Sequence, residues 1–539
     1  MIGKDNVDVM SNDASILLGH VLNEYFSCNI IDCKGSGNTF YCDFEYENPI
    51  STKDFESIIN FMFSSIKNEL SLAKVGNKLL ADKYIGLGSH DSFNHIGEHF
   101  TLTIVSGLHS DKPAQRICGV LYTTPEGLAE YYKQEEEARE YDHRILGGKL
   151  GLFRTDPEVM PGMITWLPNG VKVLEKMKVF IRSIMKEYGY NEVITPPFAD
   201  VSLWKKSGHW DMYKENMFGI ELNRDSENAC YALKPMNCPL HIEIFKYLSL
   251  SYKDLPYKIS EFGFCNRYES SGSLHGLFRA RGFTQDDAHV FCTEDQIEQV
   301  ILNFCRILRK IYSRFGFNEI EVCLSTRPEK FAGNIDTWDI AERALEAAAA
   351  KSELDCTKNE GDGAFYGPKL DFYIKDSRKR TWQCGTVQLD FVLPERLNAS
   401  YVDSTNERRT PVMIHHAVLG SLERFIGVLV EHTKGRLPFW LCPTQVVILP
   451  INPAFADYAT NIHRQLTQRG FEVIIDMKED TISYRIRKWW TEMHIPVICI
   501  VGKAEMDSNT VSLRINGSES VNKLSINEVF HKLDEMGAN

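Results

Sequence analysis

EFGFCNRYESSGSLHGLFRARGFTQDDAHVF, residues 261–291, sets two β-rich runs around the polar loop SSGSLHG, a pattern that predicts two antiparallel strands joined by a flexible connection. Arg267 and Glu269 stand at the end of the first run and share a face by two-residue alternation, and Arg279 opens the second. Arginine's planar fork makes charge-assisted, paired contacts with phosphate or carboxylate, so these side chains are suited to gripping a triphosphate, with Arg424 on an expected helix as a further grip.

Upstream of this stretch, Leu174, Met177, Ile181 and Ile184 recur at helical spacing until Gly189, and NEVITPP resumes as a strand. Residues 126–146 are charged and rich in helix formers, the texture of a solvent-exposed connecting helix. Residues 1–117 mix strand-like runs such as 39–46 with helical ones such as 54–71, which reads as a small α+β domain. Downstream, QVVILP, a helix over 456–468, FEVIID, a helix over 483–493 and PVICIVG alternate as an α/β domain. The expected organisation is an α+β multidomain chain: 1–117, a helical linker 118–150, a central domain 151–437 and a last domain 438–539.

Composition bounds the function. At about 150 residues per domain, 539 residues allow three or four, and 43% hydrophobic with 25% charged residues excludes a mainly disordered chain. Sixty basic against 73 acidic residues leave −13, so nucleic acid must be met by local patches. The 14 scattered cysteines suggest reduced thiols in a cytosolic compartment. Residues 1–15 lack a basic run followed by an apolar one, so no secretory leader is expected, and no run reaches the roughly 18 apolar residues a membrane helix needs. Motifs for P-loops, dinucleotide binding, C-x-x-C zinc sites, zincins and hydrolase elbows are missing.

Six segments carry a resemblance: GHWDMYKENMF (208–218), KPMNCPLH (234–241), residues 261–291, GAFYGPK (363–369), QCGTVQLDF (383–391) and PVMIHHAVLGSLERFIG (411–427). Together they closely resemble threonyl-tRNA synthetase, a class II aminoacyl-tRNA synthetase, from about residue 118 to the C-terminus. The resemblance implies an antiparallel class II sheet flanked by helices and a C-terminal α/β anticodon-binding domain. It implies that ATP is met by Arg267 at the α-phosphate, Glu269, Arg279, Gln383 and, at the γ-phosphate, Arg424. Threonine would be met by Met236, Arg267, Gln285, Asp287, Tyr366 and Gln388, with Lys369 lining the same site and His209 assisting transfer to the tRNA ribose.

Cys238, His289 and His415 are too far apart in sequence to be read as a metal site from spacing; the resemblance makes them ligands of one zinc ion, with His415 rather than the unusual His416 as the third. Three protein ligands leave an open position, which threonine's amine and hydroxyl fill and valine cannot. Magnesium, ATP, threonine and tRNA(Thr) follow as cofactor and partners, and Pro196, after the first class II motif, implies a homodimer. The C-terminal region has 10 basic and 12 acidic residues from 441 onward, so tRNA contact is expected of local groups, Arg485, Arg487 and Lys488 on one helix, with Glu505 and Arg514 near the anticodon.

Three departures stand out. Residue 1 aligns within the family's editing region, so a ubiquitin-like domain is not expected in these 539 residues. Aligned to the editing signatures, Asn12 and Ile16 replace two histidines and Gly86 a cysteine, with His90 retained, so residues 1–117 are expected to be an editing fold without seryl-tRNA hydrolysis. Leu240 stands where the family has glycine, which allows a different inhibitor response. A non-catalytic paralogue would have lost the motif arginines or zinc ligands; an inhibitor-resistant second copy would keep them.

Overall fold

The computed structural model describes residues 4–67, 100–106, 114–121, 125–221, 230–352, 355–518 and 521–538, in two compact units, Met1–Arg139 and Glu140–Asn539. In the first, helix Lys4–Phe26 packs on an antiparallel sheet of Asn29–Ser36, Thr39–Glu45, Ala114–Leu121 and Phe100–Ser106, in that spatial order. Strand Thr39–Glu45 alternates, turning Phe40, Cys42 and Phe44 inward against Leu18, Val21 and Leu22 of the helix. The strand Ala114–Leu121 runs past residue 117, and its inward alternation of Gln115 and Ile117 continues to Gly119.

The connector differs from a single exposed helix over 126–146. Helix Pro125–Glu140 is followed by a break at which Asp142 accepts the Arg144 N–H at 2.8 Å and starts a second helix, His143–Lys149, whose His143 and Leu146 are buried. Asp142 caps and Leu146 has a core to enter, which exposed-helix composition did not reveal.

Helix Pro168–Glu187 buries Leu174, Met177, Ile181 and Ile184 as their spacing requires, and Gly189 at φ +79° turns the chain out of it. The central sheet has eight strands in the order Cys356–Asn359, Ile320–Ser325, Lys369–Lys375, Thr381–Asp390, Val412–Ser421, Gly282–Cys292, Tyr257–Asn266 and Asn191–Glu192. The six inner strands are antiparallel; the outermost pair at each edge is parallel. A parallel partner needs a crossover, and helix Ile335–Lys351 supplies one of them. Behind the sheet, helix Ile297–Arg314 lays Val300, Ile301, Phe304, Leu308 and Ile311 on Phe372, Val387 and Leu389.

The C-terminal sheet runs Val473–Ile475, Val446–Pro450, Val497–Val501, Thr510–Ile515, Val521–Ser525. Its first three strands are the parallel ones legible as QVVILP, FEVIID and PVICIVG; two antiparallel strands extend it. Helix Ala456–Gln468 lies where its spacing places it, and the second helix is α-helical over Ile482–Arg487 and π-helical over Lys488–Glu492.

Candidate active site

Strand register assembles the site. His289 lies opposite His415, His415 opposite Gln388, and Gln388 opposite Lys369, so four residues from four adjacent strands form one row on one face of the sheet. Cys238, first residue of helix Cys238–Leu248, meets this row: its sulfur and a ring nitrogen from each of His289 and His415 all lie within 4.8 Å of one another. His416, one residue on, faces the opposite side of the sheet by the strand's period of two. There its Nε2 is 2.6 Å from the Tyr190 hydroxyl, and its ring packs on Phe304.

The hydrogen bonds around the two histidines fix their protons. His241 Nε2 is 3.0 Å from Glu261 and His415 Nε2 is 2.8 Å from Asp390; a carboxylate only accepts, so both Nε2 atoms carry hydrogen. His241 Nδ1 therefore accepts from His289 Nδ1 at 2.7 Å. His289 Nε2 and His415 Nδ1 are then both bare lone pairs, facing each other at 2.9 Å in a buried place. Two acceptors so close repel unless a cation lies between them. Burial of Glu261 would raise its pKa, but hydrogen bonds from His241 and the Thr195 N–H, and the Lys234 charge, bring it down to about 2. Burial holds His289 well below its usual range and pushes the Cys238 thiol up, a penalty that metal coordination of the thiolate would offset. One sulfur and two imidazole nitrogens, oriented by outer carboxylates, are a donor set that could hold a divalent metal ion such as zinc.

Around this group, Asn237 donates to Asp287 at 2.9 Å, and the Tyr366 hydroxyl donates to Gln388 at 2.6 Å with its ring 5.2 Å from that of His415. Gln285 accepts the Cys265 thiol at 3.4 Å, and Met236 is half-buried just before Asn237. Lys369 sits 3.0 Å from buried Asp371, which also accepts from Gln383 at 2.6 Å, so one carboxylate joins them. His209 is fully buried, its Nε2 3.8 Å from Cys238 Sγ, and burial pushes its pKa down to about 4. Leu240 is half-buried two positions after Cys238, roughly 200° around the helix from it.

Beside the metal group lies a cavity of about 710 Å³ lined by Arg267, Glu269, Arg279, Gln285, Gln383 and Arg424. The first three occupy the loop between the strands: strand Tyr257–Asn266 stops before Arg267, and strand Gly282–Cys292 begins after Arg279. They are held there by the Arg267 N–H to Arg281 carbonyl bond at 2.9 Å and the Glu269–Arg279 ion pair at 2.9 Å, rather than by strand alternation. Arg424 is in the first turn of helix Leu422–His432, capped by Ser421.

Aromatic rings absent from the sequence reading complete the walls: Arg267 lies over Phe283 at 5.1 Å and Arg424 over Trp382 at 5.7 Å. Phe283 is the inward aromatic of GFTQ; Trp382 carried no motif signal. Glu261, Asn237 and Asp390 were also unassigned, whereas His241 was accessible as the i+3 neighbour of Cys238 on one helix face.

In the C-terminal region the basic trio separates. Arg485 is 3% exposed and donates to the Pro450 carbonyl at 2.9 Å and to the Asp476 carbonyl; its side chain holds the sheet and is not a surface cation. Amphipathic spacing puts it on the core side of the helix, while Arg487 is exposed. Glu505 accepts the Gly502 N–H at 2.9 Å and the Ser512 hydroxyl at 2.9 Å, and Arg514 is half-buried in strand Thr510–Ile515. Arg485→Ala is expected to cost about 3 kcal/mol of stability by orphaning buried acceptors, read by chemical denaturation followed through Trp489 and Trp490 fluorescence.

Residues 218–433 match the tRNA synthetase class II core domain (G, H, P, S and T), and residues 445–536 match an anticodon binding domain. Among similar proteins is a threonine–tRNA ligase of Methylobacillus flagellatus, 41% identical over 534 residues, covering 92% of this chain and 83% of that one. Another, from Marinobacter nauticus, is 39% identical and covers 98% of this chain and 88% of the relative. The crystal structure of the RNA binding domain of threonyl-tRNA synthetase from Cryptosporidium parvum superposes with TM-score 0.70 at 42% identity, covering 74% of this chain and 98% of that chain. A putative threonyl-tRNA synthetase from Aeropyrum pernix gives TM-score 0.65 at 28% identity, covering 74% of this chain and 96% of that one. Identity at this level over nine-tenths or more of the chain, together with the class II core match, means that this chain belongs to the threonyl-tRNA synthetase family of class II aminoacyl-tRNA synthetases.

Proposed function

We propose that this chain is a threonine–tRNA ligase that activates L-threonine with ATP and transfers it to the 3′ end of tRNA(Thr), using one zinc ion held by Cys238, His289 and His415. The observation that carries the reading is the meeting of these three ligands, 51 and 126 residues apart in sequence, beside an arginine-lined cleft.

When bound, the zinc supplies a Lewis-acidic position that an amine and an adjacent hydroxyl can share. Asp287 and Tyr366 flank the place of the threonine amine, with Gln285, Gln388 and Met236 lining it. Arg267 holds the carboxylate against the α-phosphate, so the attack needs no side-chain nucleophile. Glu269, Arg279 and Gln383 bind the rest of ATP, Arg424 neutralises the γ-phosphate, and Mg²⁺ enters with the nucleotide. Lys369, held by Asp371, adds positive charge at the threonine end. His209, packed on Cys238, orients the ribose-facing side of the pocket. Rejection of valine follows from its missing hydroxyl, worth roughly 10⁴ to 10⁵ in a site built around that group, whereas serine lacks one methyl, worth only about 1–3 kcal/mol. Arg487, Glu505 and Arg514 face the anticodon in this reading.

Two further parts belong to the proposal. The exposed Ile194, 93% accessible, and Pro196 beside it offer an apolar surface to a second copy of the chain, in keeping with a homodimer. Among the described residues no helix is long and apolar enough to cross a membrane, and a cytoplasmic location is in keeping with that.

The first unit is proposed not to edit. Residues 12 and 16 lie one turn apart in helix Lys4–Phe26, and Ile16 is buried in its packing; Gly86 and His90 lie outside the described residues. Asparagine and isoleucine cannot relay a proton at neutral pH. Seryl-tRNA(Thr) incubated with the chain is therefore expected to deacylate at the spontaneous rate, and hydrolysis well above that rate would overturn this part. The activity itself is tested by ATP–pyrophosphate exchange with threonine, serine and valine: exchange with threonine, weaker exchange with serine and none with valine is expected, and equal exchange with valine would reject the recognition mechanism.

A further inference from the structure

The second connector helix, His143–Lys149, reaches the back of the cleft wall through one histidine. His143 is fully buried, although it follows a charged, exposed helix. Its ring nitrogens are spoken for at both ends: the Leu277 backbone N–H donates to Nε2 at 3.0 Å, so the proton must sit on Nδ1, which donates to Glu431 at 2.7 Å. The His143 backbone N–H also donates to Glu431, at 3.0 Å. The imidazole thus bridges two elements that sequence places far apart, the returning limb of the loop 267–281 and the end of helix Leu422–His432. That limb carries Arg279, two residues after Leu277; the helix carries Arg424, seven residues and about two turns before Glu431.

The bridge continues into the cleft wall. The second oxygen of Glu431 accepts from Arg380 at 2.5 Å, and Arg380 lies 4.9 Å over the Trp382 ring, the ring that Arg424 also covers. His143 packs on Phe278 with ring centroids 4.0 Å apart, and Phe278 meets Trp382 at 4.5 Å. Leu277, Phe278, Arg380 and Trp382 all line the 710 Å³ cavity, while His143 and Glu431 do not. The contact is tight enough to dictate a glycine. A Cβ on Gly276, which has φ +51°, would stand 2.4 Å from His143 Nε2 and 2.8 Å from Arg144 Cγ.

We infer that His143 is a positioning residue for ATP: through Leu277 and Glu431 it clamps the loop bearing Arg279 to the helix bearing Arg424, holding the two phosphate-facing arginines at a fixed separation. This rests on the reading of the cleft as the ATP site. A clamp that acts only on that half of the site leaves the zinc and threonine side untouched, because the latter is built on strand register and helix Cys238–Leu248. A general structural role would instead weaken both halves together.

The substitutions separate the two ends of the imidazole. Asparagine places a donor where Nδ1 was and can reach Glu431 but loses the Leu277 N–H; glutamine places an acceptor where Nε2 was and keeps Leu277, while the backbone N–H of residue 143 keeps Glu431, so both ends of the clamp survive. In threonine-dependent ATP–pyrophosphate exchange by the full chain, His143→Asn is expected to raise the KM for ATP about tenfold, the worth of one lost buried hydrogen bond with loosening of the loop. The KM for threonine should stay within about twofold, and His143→Gln should bring the KM for ATP back to within about threefold of the unmodified chain. Gly276→Ala attacks the same contact from the loop side and should give the same ATP-selective rise, so it decides the matter if the asparagine variant does not fold. Equal rises in both KM values, or an unchanged KM for ATP in Gly276→Ala, would overturn the clamp while leaving the activity assigned. No threonine-dependent exchange by the unmodified chain would overturn the reading of the cleft and the clamp with it.

Discussion

Cys238→Ala is expected to abolish threonine activation, with the rate of threonine-dependent exchange per active site falling by about 10⁴-fold and bound zinc falling in parallel. The magnitude follows from the recognition problem: a site built to engage a hydroxyl discriminates by roughly 10⁴ to 10⁵, and all of that discrimination is lost with the ion that reads it. Removing the thiolate leaves two imidazoles, whose bare nitrogens His289 Nε2 and His415 Nδ1 cannot hold a divalent ion tightly enough alone. The measurement is metal content by elemental analysis alongside exchange. His416→Ala is the contrast, since His416 bonds Tyr190 on the far face of the sheet; it should keep its zinc while losing stability. Full exchange by metal-free Cys238→Ala would remove the ion from the recognition mechanism.

Arg267→Ala is expected to lower threonine-dependent exchange by about 10³-fold with zinc content unchanged. Preorganised donors aimed at developing charge are typically worth about 10² to 10³ each in rate, and in the proposed function this one stands where carboxylate and α-phosphate meet. Its position is already set before any ligand: Nε donates to the Pro235 carbonyl at 3.3 Å, and the guanidinium rests over Phe283. Lysine at this position would keep the charge but not the fork, so Arg267→Lys should recover no more than about tenfold of the loss. Near-normal exchange by Arg267→Ala would place the phosphate grip elsewhere in the cleft.

Much of the architecture could be read from the chain because the signals were local. Leu174, Met177, Ile181 and Ile184 declared a buried helix face, QVVILP and PVICIVG declared buried strands, and a polar loop between two β-rich runs declared the pair at 257–292. The misreadings also have local causes. The exposed connector was extended to 146 because Asp142 looks like one more helix-surface charge until it is seen to cap. Arg485 looked like a tRNA contact because charge alone does not say which side of a helix meets the core.

The motif segments and the resemblance they carry were enough to place this chain in its family and to propose two histidines and one cysteine as ligands, which spacing and periodicity by themselves did not. The resemblance pointed to His415 rather than His416, and the folded structure gives the physical reason: a strand's two faces differ, and register turns His415 toward Cys238 and His416 away from it. The folded structure alone supplies Glu261 and Asp390, which with His241 aim the lone pairs, and His143, which ties a connector to the wall of the arginine-lined cleft. These groups act through hydrogen bonds between residues 20 to 288 positions apart. Such bonds have directions and lengths, and those exist only once the backbone has closed around them.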